Sequence, residues 1–260
     1  MNKIITLLDG TEYIYKDIIK KLDDDDFYYG ELGKNALSSS AIKLLVDSPK
    51  KYHYVTNYAQ LETQGLRDGK LLHQLVLEPH KFDSNIFVDV QSKNTKKYKE
   101  ALAKHGVVYT QKEKEDAERL ADALLKNDMA VSLLADSRFE VAQIGYVDDW
   151  VFRGKADVLS NGGTIIDLKT TTDIKGFKYA AAKYGYEIQV YVYCKLFGIN
   201  YFDFKFLVID KSSLDIGVFE VSEEFYLRGR EKTKLGIKRY EEWFTKDEID
   251  LNDYYIKDVL

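Results

Sequence analysis

The alternation of apolar and polar positions predicts helices in the first half of the chain and mostly strands in the second half. Period-two alternation is clearest in FEVAQIGYV, WVFRGKADVL and GTIIDLKTT, which are connected by tight turns at Asp148-Asp149 and Asn161-Gly162-Gly163. YFDFKFLVID and LDIGVFEV repeat this pattern further along. Helical periodicity covers residues 111–135, 174–197 with an interruption near Gly185, and 222–245. The second half therefore predicts five strands that are divided by one helical segment.

The first half contains capping and breaking signals that mark further helices. Ser38 and Ser39 are N-cap candidates before the periodic apolar residues of AIKLLV, and Ser48-Pro49 interrupts and restarts that helix. GLRDGKLLHQLVLEP is predicted to be a helix that Pro79 ends. Residues 94–104 predict a further helix, and NIFVDV predicts a short strand.

Helices that surround a block of strands predict an α/β (α+β) fold, in which a central mixed β-sheet is flanked by helices. Of the 260 residues, 45% are hydrophobic and 31% are charged, which is typical of a soluble globular protein. We expect residues 1–35 to be an irregular, partly acidic lead-in, and residues 36–260 to form a single domain.

The single cysteine, Cys194, excludes a disulfide within the chain and any iron–sulfur or zinc site that needs four cysteines. The N-terminal stretch MNKIITLLDG has too short an apolar run for a signal peptide. No stretch of the sequence approaches the length of a membrane span. These features predict a cytoplasmic protein that does not interact with a membrane.

Charge is distributed unevenly along the chain, whose formal net charge is −5. Acidic residues are concentrated in DDDD at 23–26 and near the C-terminus, whereas residues 151–185 hold six basic and three acidic residues. Residues 228–239 hold six basic residues and one acid, Glu231. A locally basic surface on an acidic protein can bind a polyanion at one place. A solvated mosaic surface would explain the same distribution.

Asp157, Asp167 and Lys169 are charged residues within strand patterns that are otherwise apolar. Asp167 and Lys169 are two residues apart and therefore face the same side of their strand, while Leu168 faces the other. The short turn places Asp157 on the neighbouring antiparallel strand, so the three charges can meet. Burying them unpaired would cost several kcal/mol each, which a divalent cation such as Mg²⁺ would offset. The alternative is a partly exposed hairpin with a cross-strand Asp–Lys pair, which contributes less than about 1 kcal/mol.

Three other residues have an ordinary structural interpretation when each is taken alone. His73 lies on a helix rich in Leu and Val, where a histidine is usually a satisfied core residue. Gln189 and Tyr193 are four residues apart and share one helical face, which is typical of core packing. Their order along the chain is more informative: a G-x-x-x-H helix, an Asp strand, a D-x-K strand and a Q-x-x-x-Y helix.

In this order the chain resembles the PDDEXK nuclease superfamily and, within it, the RecE (exonuclease VIII)-like phage and prophage recombination exonucleases. The resemblance covers most of residues 37–198 and is carried by LSSSAIKLLVDSPKKY, GKLLHQLVLEPHKF, GKADVL, IIDLKTT and QVYVY. RecB-type and CRISPR-adaptation nucleases share the His, Asp, D-x-K and Q-x-x-x-Y pieces. Their iron–sulfur-bearing members need four cysteines, which this chain lacks.

The resemblance implies a role for each matched residue. The implied catalytic residues are Asp157, Asp167 and Lys169, of which Lys169 would position and help to deprotonate the attacking water. The residues implied to hold the metal are His73, Asp157, Asp167 and, through its backbone carbonyl, Leu168. The residues implied to contact DNA are Gln189, Tyr193, Ser39, Lys155 and Thr170.

This chain departs from the family pattern at two positions. The acid of the D/E-x-K motif is Asp167 rather than a glutamate, which shortens the reach of the ligand by one methylene but keeps the ligand type. Ala156 stands where related stretches often have a bulkier or basic residue and a proline, which leaves the strand geometry beside Asp157 open.

The activity implied by the resemblance is that of a Mg²⁺-dependent exodeoxyribonuclease, in which Mn²⁺ can substitute. It would degrade linear double-stranded DNA from 5′ to 3′ and leave 3′ overhangs for recombination by single-strand annealing. The implied partners are DNA ends, a RecT-like annealing protein and further copies of the chain in a ring, in a bacterial host that carries the phage or prophage gene. Two alternatives remain, an endonucleolytic or RecB-like nuclease and a DNA-end-binding module without turnover. The intact D-x-K pair and Asp157 argue against the second of these.

Overall fold

The computed structural model describes residues 3–58, 62–246, 250–257 and 259. The strands are β1 (Ile4–Thr6), β2 (Glu12–Ile14), β3 (Phe87–Val88), β4 (Tyr109–Thr110), β5 (Ser137–Val147), β6 (Trp150–Ser160), β7 (Ile165–Thr171), β8 (Phe204–Asp210) and β9 (Ile216–Glu220). The α-helices are α1 (Tyr15–Lys21), α2 (Leu32–Asn35), α3 (Ser39–Asp47), α4 (Pro49–Tyr58), α5 (Gln64–Leu77), α6 (Pro79–Asp83), α7 (Lys96–His105), α8 (Gln111–Leu125), α9 (Asp128–Leu134), α10 (Phe177–Lys183), α11 (Tyr186–Phe197) and α12 (Glu223–Phe244). A π-helix spans Asp26–Glu31, and short 3₁₀ helices span Tyr201–Asp203 and Leu251–Asp253. Within these described residues, no helix has both the length and the apolar character needed to cross a bilayer.

The central sheet has the strand order β5-β6-β7-β8-β9. The pairs β5–β6, β6–β7 and β8–β9 are antiparallel, whereas β7 and β8 are parallel. Parallel neighbours need a long crossover connection, which α10 and α11 provide. The five strand segments of the second half thus correspond to β5–β9. The predicted α/β fold, a central mixed sheet flanked by helices, is confirmed.

Helices cover both faces of the sheet, and alternate residues of β7 face different hydrophobic clusters. One cluster joins the sheet to α3, α10, α11 and α12 and includes Ile165. The other joins the sheet to α5, α8 and α9 and includes Ile166 and Leu168. Because side chains alternate along a strand, Asp167 and Lys169 lie on the side of Ile165. This arrangement confirms the prediction that the D-x-K pair and Leu168 face opposite sides of the sheet.

Two glycines of α12 allow close contact with the helices that carry predicted site residues. A Cβ at Gly229 would lie 2.0 Å from the carbonyl oxygen of Glu187 on α11, and one at Gly236 would lie 2.7 Å from Cγ2 of Ile42 on α3. The Glu187 carboxylate, which is 1% exposed, also pairs with Lys232 of α12. The long helix α12 therefore holds α3 and α11 in place against the sheet.

Residues 3–35, here called the N-terminal segment, are folded, so the prediction of an irregular lead-in is wrong. The segment forms the β1–β2 hairpin, α1, the π-helix and α2. Its Ile5 and Ile18 are buried together with Ile144 of β5 and Val151 of β6. Each of its elements has between 3 and 7 residues. Segments this short do not complete enough periods for their pattern to be visible in the sequence.

Other elements of the first half differ from the prediction in length. The predicted helix over residues 111–135 is two helices, because the Asn127 side chain caps α9 by accepting a 3.0 Å hydrogen bond from Ala130 N–H. The strand predicted in NIFVDV is only Phe87–Val88, which pairs in parallel with β4. The predicted break at Ser48-Pro49 is confirmed between α3 and α4.

Candidate active site

Strands β6 and β7 separate at the position of the two predicted acids. The two strands form two residue pairs, Leu159 with Ile165 and Val158 with Ile166. Asp157 and Asp167 would come next in that register, but the strands diverge there. The Asp157 carboxylate fills the gap, and its Oδ2 accepts a 2.8 Å hydrogen bond from Leu168 N–H. The side chain thus satisfies a backbone donor that has lost its strand partner.

His73, on α5, reaches the same gap. Its Nε2 lies 2.6 Å from the carbonyl oxygen of Leu168, and its Nδ1 lies 3.4 Å from Oδ2 of Asp157. Because a carbonyl oxygen only accepts, Nε2 carries a proton in this arrangement. Leu72 and Leu77 anchor α5 on the sheet, and the His73 side chain remains 25% exposed. His73, Asp157 and the backbone of Leu168 are therefore in mutual contact, which explains the histidine on an otherwise apolar helix.

Asp167 is 1% exposed and is held from two sides. Gln189 on α11 donates a 2.6 Å hydrogen bond from Nε2 to Oδ1. Oδ2 contacts the Lys169 ammonium as a buried ion pair, and Lys169 is its one partner among the described residues. A buried carboxylate oxygen that is incompletely satisfied is uncommon and marks a position where a further group can bind.

The charges of this cluster shift one another's protonation. Burial raises the pKa of Asp157, an effect that His73 opposes and Asp167 strengthens. Burial by itself lowers the pKa of Lys169, but the charges of Asp167 and Asp157 outweigh burial and raise it. Lys169 is therefore firmly charged, and one ammonium faces two buried carboxylates. The excess of negative charge favours a cation.

Glu140, on β5, is a further acid of the site that sequence reasoning missed. The β5–β6 pairing skips Glu140 and Asp157, which lie between the pairs Phe139–Val158 and Val141–Ala156. Its backbone φ is +50°, a left-handed conformation that costs about 1–3 kcal/mol in a non-glycine residue. Burial, with the charges of Asp157 and Glu78, raises the pKa of Glu140 to about 8. Glu140, His73 and Asp157 each offer a ligand atom within 4.8 Å of the others.

These groups fit a divalent cation. The donors are the carboxylate oxygens and a backbone carbonyl oxygen, which suit hard divalent cations, and an imidazole nitrogen, which suits transition-metal ions. A cation would also give Oδ2 of Asp167 a partner besides Lys169 and would offset the repulsion between the carboxylates of Asp157 and Glu140. The alternative of a partly exposed hairpin pair is contradicted, because the ion pair of Asp167 with Lys169 is buried and lies within one strand.

Two of the predicted DNA contacts are engaged within the protein. The Tyr193 hydroxyl donates a 2.8 Å hydrogen bond to the Lys155 carbonyl, and Tyr193 is 7% exposed. The Lys155 ammonium pairs with Asp25 of the N-terminal segment at 3.0 Å. Tyr193 therefore binds the edge of β6 that β7 leaves unpaired beyond the gap. Contact of either residue with DNA stays a prediction.

Ser39 and Thr170, the other predicted DNA contacts outside α11, lie on α3 and β7. Ser39 is 7% exposed and begins α3 immediately after the N-cap residue Ser38. The hydroxyl of Thr170 faces Gly69 of α5, where a Cβ would lie 4.0 Å from Oγ1. Their contact with DNA also stays a prediction.

We expect Gln189→Ala to weaken metal binding and to slow any cleavage that depends on it. The variant removes the hydrogen bond that orients Asp167, and a hydrogen bond to a charged group contributes about 1.5–3 kcal/mol. Tyr193→Phe, the matched variant on the same helical face, loses only a bond to a backbone carbonyl. It should cost about 0.5–1.5 kcal/mol of folding free energy and leave metal affinity unchanged. Calorimetric metal titration and thermal melting of both variants provide the test, and an equal loss of metal affinity would contradict it.

A solved structure shares this fold at low sequence identity. A crystal structure of a "Putative exonuclease" from Eubacterium rectale superposes with a TM-score of 0.65 at 14% identity, covering 91% of this chain and 95% of that chain. At that identity the similarity shows the fold alone. A phage related exonuclease from Haemophilus somnus 129PT, 16% identical over 72% of this chain and 96% of that chain, has a TM-score of 0.33, too low to support an argument. No curated protein matches the sequence.

A family model described as a PDDEXK-like domain of unknown function (DUF3799) matches residues 38–249. The matched range includes His73, Glu140, Asp157 and the D-x-K pair of β7. The predicted membership of the PDDEXK superfamily is thereby confirmed. The chain belongs to the PDDEXK-like DUF3799 family.

Proposed function

We propose that the protein is a metal-dependent exodeoxyribonuclease that hydrolyses linear double-stranded DNA. The observation that carries this proposal is the meeting of His73, the Leu168 carbonyl, Asp157, Asp167 and Lys169 where β6 and β7 separate. Burying ionised groups together lowers stability unless they are fully compensated, so such a cluster is better explained by function than by folding. The PDDEXK-like fold and a fold relative named as an exonuclease support a nuclease.

The residues that would hold the metal are His73, Asp157, Asp167, Leu168 through its carbonyl, and Glu140. A divalent cation held there would supply a water of lowered pKa and would offset charge on the phosphate. Gln189 keeps the Asp167 carboxylate in one orientation through Oδ1. The aspartates of the two diverging strands are thus presented together at one place.

Lys169 would orient the attacking water and stabilise the negative charge that develops on the phosphate. Its pKa is raised by Asp167 and Asp157 despite burial, so we assign it these roles rather than acceptance of a proton. An ammonium group beside the metal ligands can fill both roles while it keeps its proton.

The finer features of the proposal follow the resemblance to RecE-like enzymes. They are Mg²⁺ as the metal with Mn²⁺ as a substitute, 5′-to-3′ degradation, 3′ overhangs for single-strand annealing, a RecT-like annealing partner and a ring-shaped homo-oligomer. The locally basic segments 151–185 and 228–239 support an interaction with a polyanion.

A single plasmid prepared in linear, nicked and covalently closed forms tests the proposal in Mg²⁺, Ca²⁺ or EDTA. We expect Mg²⁺-dependent degradation of the linear form, no degradation in EDTA, and closed circles that stay intact. Cleavage of closed circles would instead indicate an endonuclease. Binding of ends without cleavage in either Mg²⁺ or Mn²⁺ would indicate a non-catalytic module. Duplexes labelled at one 5′ end or one 3′ end measure the direction of degradation.

A further inference from the structure

Lys43, on α3, is a second lysine beside the catalytic cluster. The ammonium groups of Lys43 and Lys169 both lie 5.0 Å from the centroid of the Tyr186 ring. The stem of Lys43 passes over Gly185, where a Cβ would lie 3.4 Å from Lys43 Cγ. Gly185 has φ +64°, a conformation that favours glycine. The turn before α11 therefore leaves room for this lysine and directs it toward Lys169.

Lys43 has no anionic partner of its own in the described part of the chain. Its contact is with the face of the Tyr186 ring, and it makes no ion pair or hydrogen bond with those residues. The acids whose charges reach it are otherwise engaged, Asp167 by Lys169 and Glu187 by Lys232. Burial, together with repulsion from Lys169, lowers the pKa of Lys43 to about 8. An ammonium in this position is unfavourable until an anion reaches it.

The anion that fits this position is a phosphodiester. A lysine is a compact charge on a flexible stem and binds phosphate without a fixed orientation. Phosphates follow one another along a nucleic-acid strand, so two ammonium groups near one ring can bind neighbouring phosphates. Ser39 lies four residues before Lys43, on the same face of α3. Its hydroxyl would therefore face the same nucleic-acid strand. Helix α12 holds α3 through Gly236, which keeps this position fixed relative to the sheet.

We propose that Lys43 binds the backbone phosphate next to the phosphodiester that is cleaved. This inference rests on the proposed function and specifies how the substrate strand is held. Lys43 is thus a positioning residue for the strand, whereas Lys169 acts at the reacting phosphate.

The test compares Lys43→Ala, Lys43→Gln and Lys43→Arg with Lys96→Ala, a lysine of α7 whose side chain is 89% exposed. Binding of a short duplex in Ca²⁺ is measured at several salt concentrations. Loss of one phosphate contact should reduce the slope of log K against log salt by about one unit. We expect this reduction in Lys43→Ala and Lys43→Gln, a wild-type slope in Lys43→Arg, and no change in Lys96→Ala.

A second series uses duplexes in which one phosphate at a time is replaced by an uncharged methylphosphonate. At the position next to the cleaved bond, the replacement should weaken binding by the wild-type protein but should not weaken binding by Lys43→Gln any further. This series compares the wild-type protein with Lys43→Gln, so it does not depend on the folding of Lys43→Ala. Additive losses at every position, or a wild-type salt slope in Lys43→Gln, would overturn the inference and leave the proposed function intact. A wild-type protein that neither binds nor cleaves DNA would overturn both.

Discussion

Asp157→Asn and Asp167→Asn should each reduce DNA cleavage by at least about a thousandfold, which corresponds to about 4 kcal/mol of activation free energy. Both replacements keep the shape of the side chain and remove the charge of a metal ligand. In Asp157→Asn, the side-chain amide oxygen can still accept a hydrogen bond from Leu168 N–H, so the strand gap should keep its geometry. Calorimetric titration with Mg²⁺ and Mn²⁺ should show weakened binding in both variants. Unchanged metal affinity in Asp167→Asn would mean that this acid serves only to pair with Lys169.

Glu140→Gln is the matched replacement at the acid that strand pairing adds to the site. It should weaken metal binding and raise the melting temperature of the metal-free protein near pH 8. The pKa of Glu140 in the folded protein is raised to about 8. A carboxyl with a raised folded pKa supports folding below its unfolded pKa, and this support is lost as pH rises through the folded value. The advantage of glutamine should therefore disappear in acid and grow as pH approaches 8.

Lys169→Met should slow cleavage about 100- to 1000-fold, because the variant removes a charge that stabilises the transition state. Metal should still bind, because Lys169 is not a metal ligand. It also leaves Asp167 buried without its cation, which should lower the melting temperature of the metal-free protein. Added Mg²⁺ should raise that temperature more than in the wild-type protein, since the metal then supplies the missing positive charge. Single-turnover cleavage, calorimetry and melting with and without Mg²⁺ measure the three effects.

Lys205→Met on β8 is the control for this replacement. Lys205 pairs at 3.0 Å with Glu220, whose side chain is 75% exposed. Pairs of this kind contribute about 0–1 kcal/mol, so the control should retain its rate and its melting temperature. Cleavage at the wild-type rate by Lys169→Met would contradict the assigned role, as would loss of metal binding in that variant.

The central sheet was predictable because its strands are long enough to repeat their pattern. β5 and β6 each have 11 residues, and the alternation within β7 correctly separates Asp167 from Leu168. The N-terminal segment was not predictable, because its elements are short and are stabilised by burial against β5 and β6 rather than by local periodicity. The boundary between α8 and α9 was also missed, because it depends on a single capping side chain, that of Asn127, rather than on periodicity.

Sequence order was sufficient to bring His73, Asp157 and the D-x-K pair together, because the resemblance depends on these pieces. Glu140 could not be found in this way, since its proximity to Asp157 depends on how β5 pairs with β6 on either side of them. Lys43 lies between apolar residues of a helix and gave no signal of its own. Its proximity to Lys169 depends on how α3 and α11 pack, which no local pattern records.

The packing of the N-terminal segment on the sheet shows that folding depends on residues outside the range that the family model matches. The family match begins at residue 38, yet Ile144 and Val151 are covered by side chains that precede it. Asp25 also holds both Lys155 at 3.0 Å and Lys81 at 2.6 Å, and Lys155 is two residues from Asp157. A chain trimmed to the matched range would expose apolar strand surface and release a lysine beside the active site. Expression for biochemical assays should therefore retain residues 3–35, with any affinity tag attached ahead of a packed hairpin rather than in place of it.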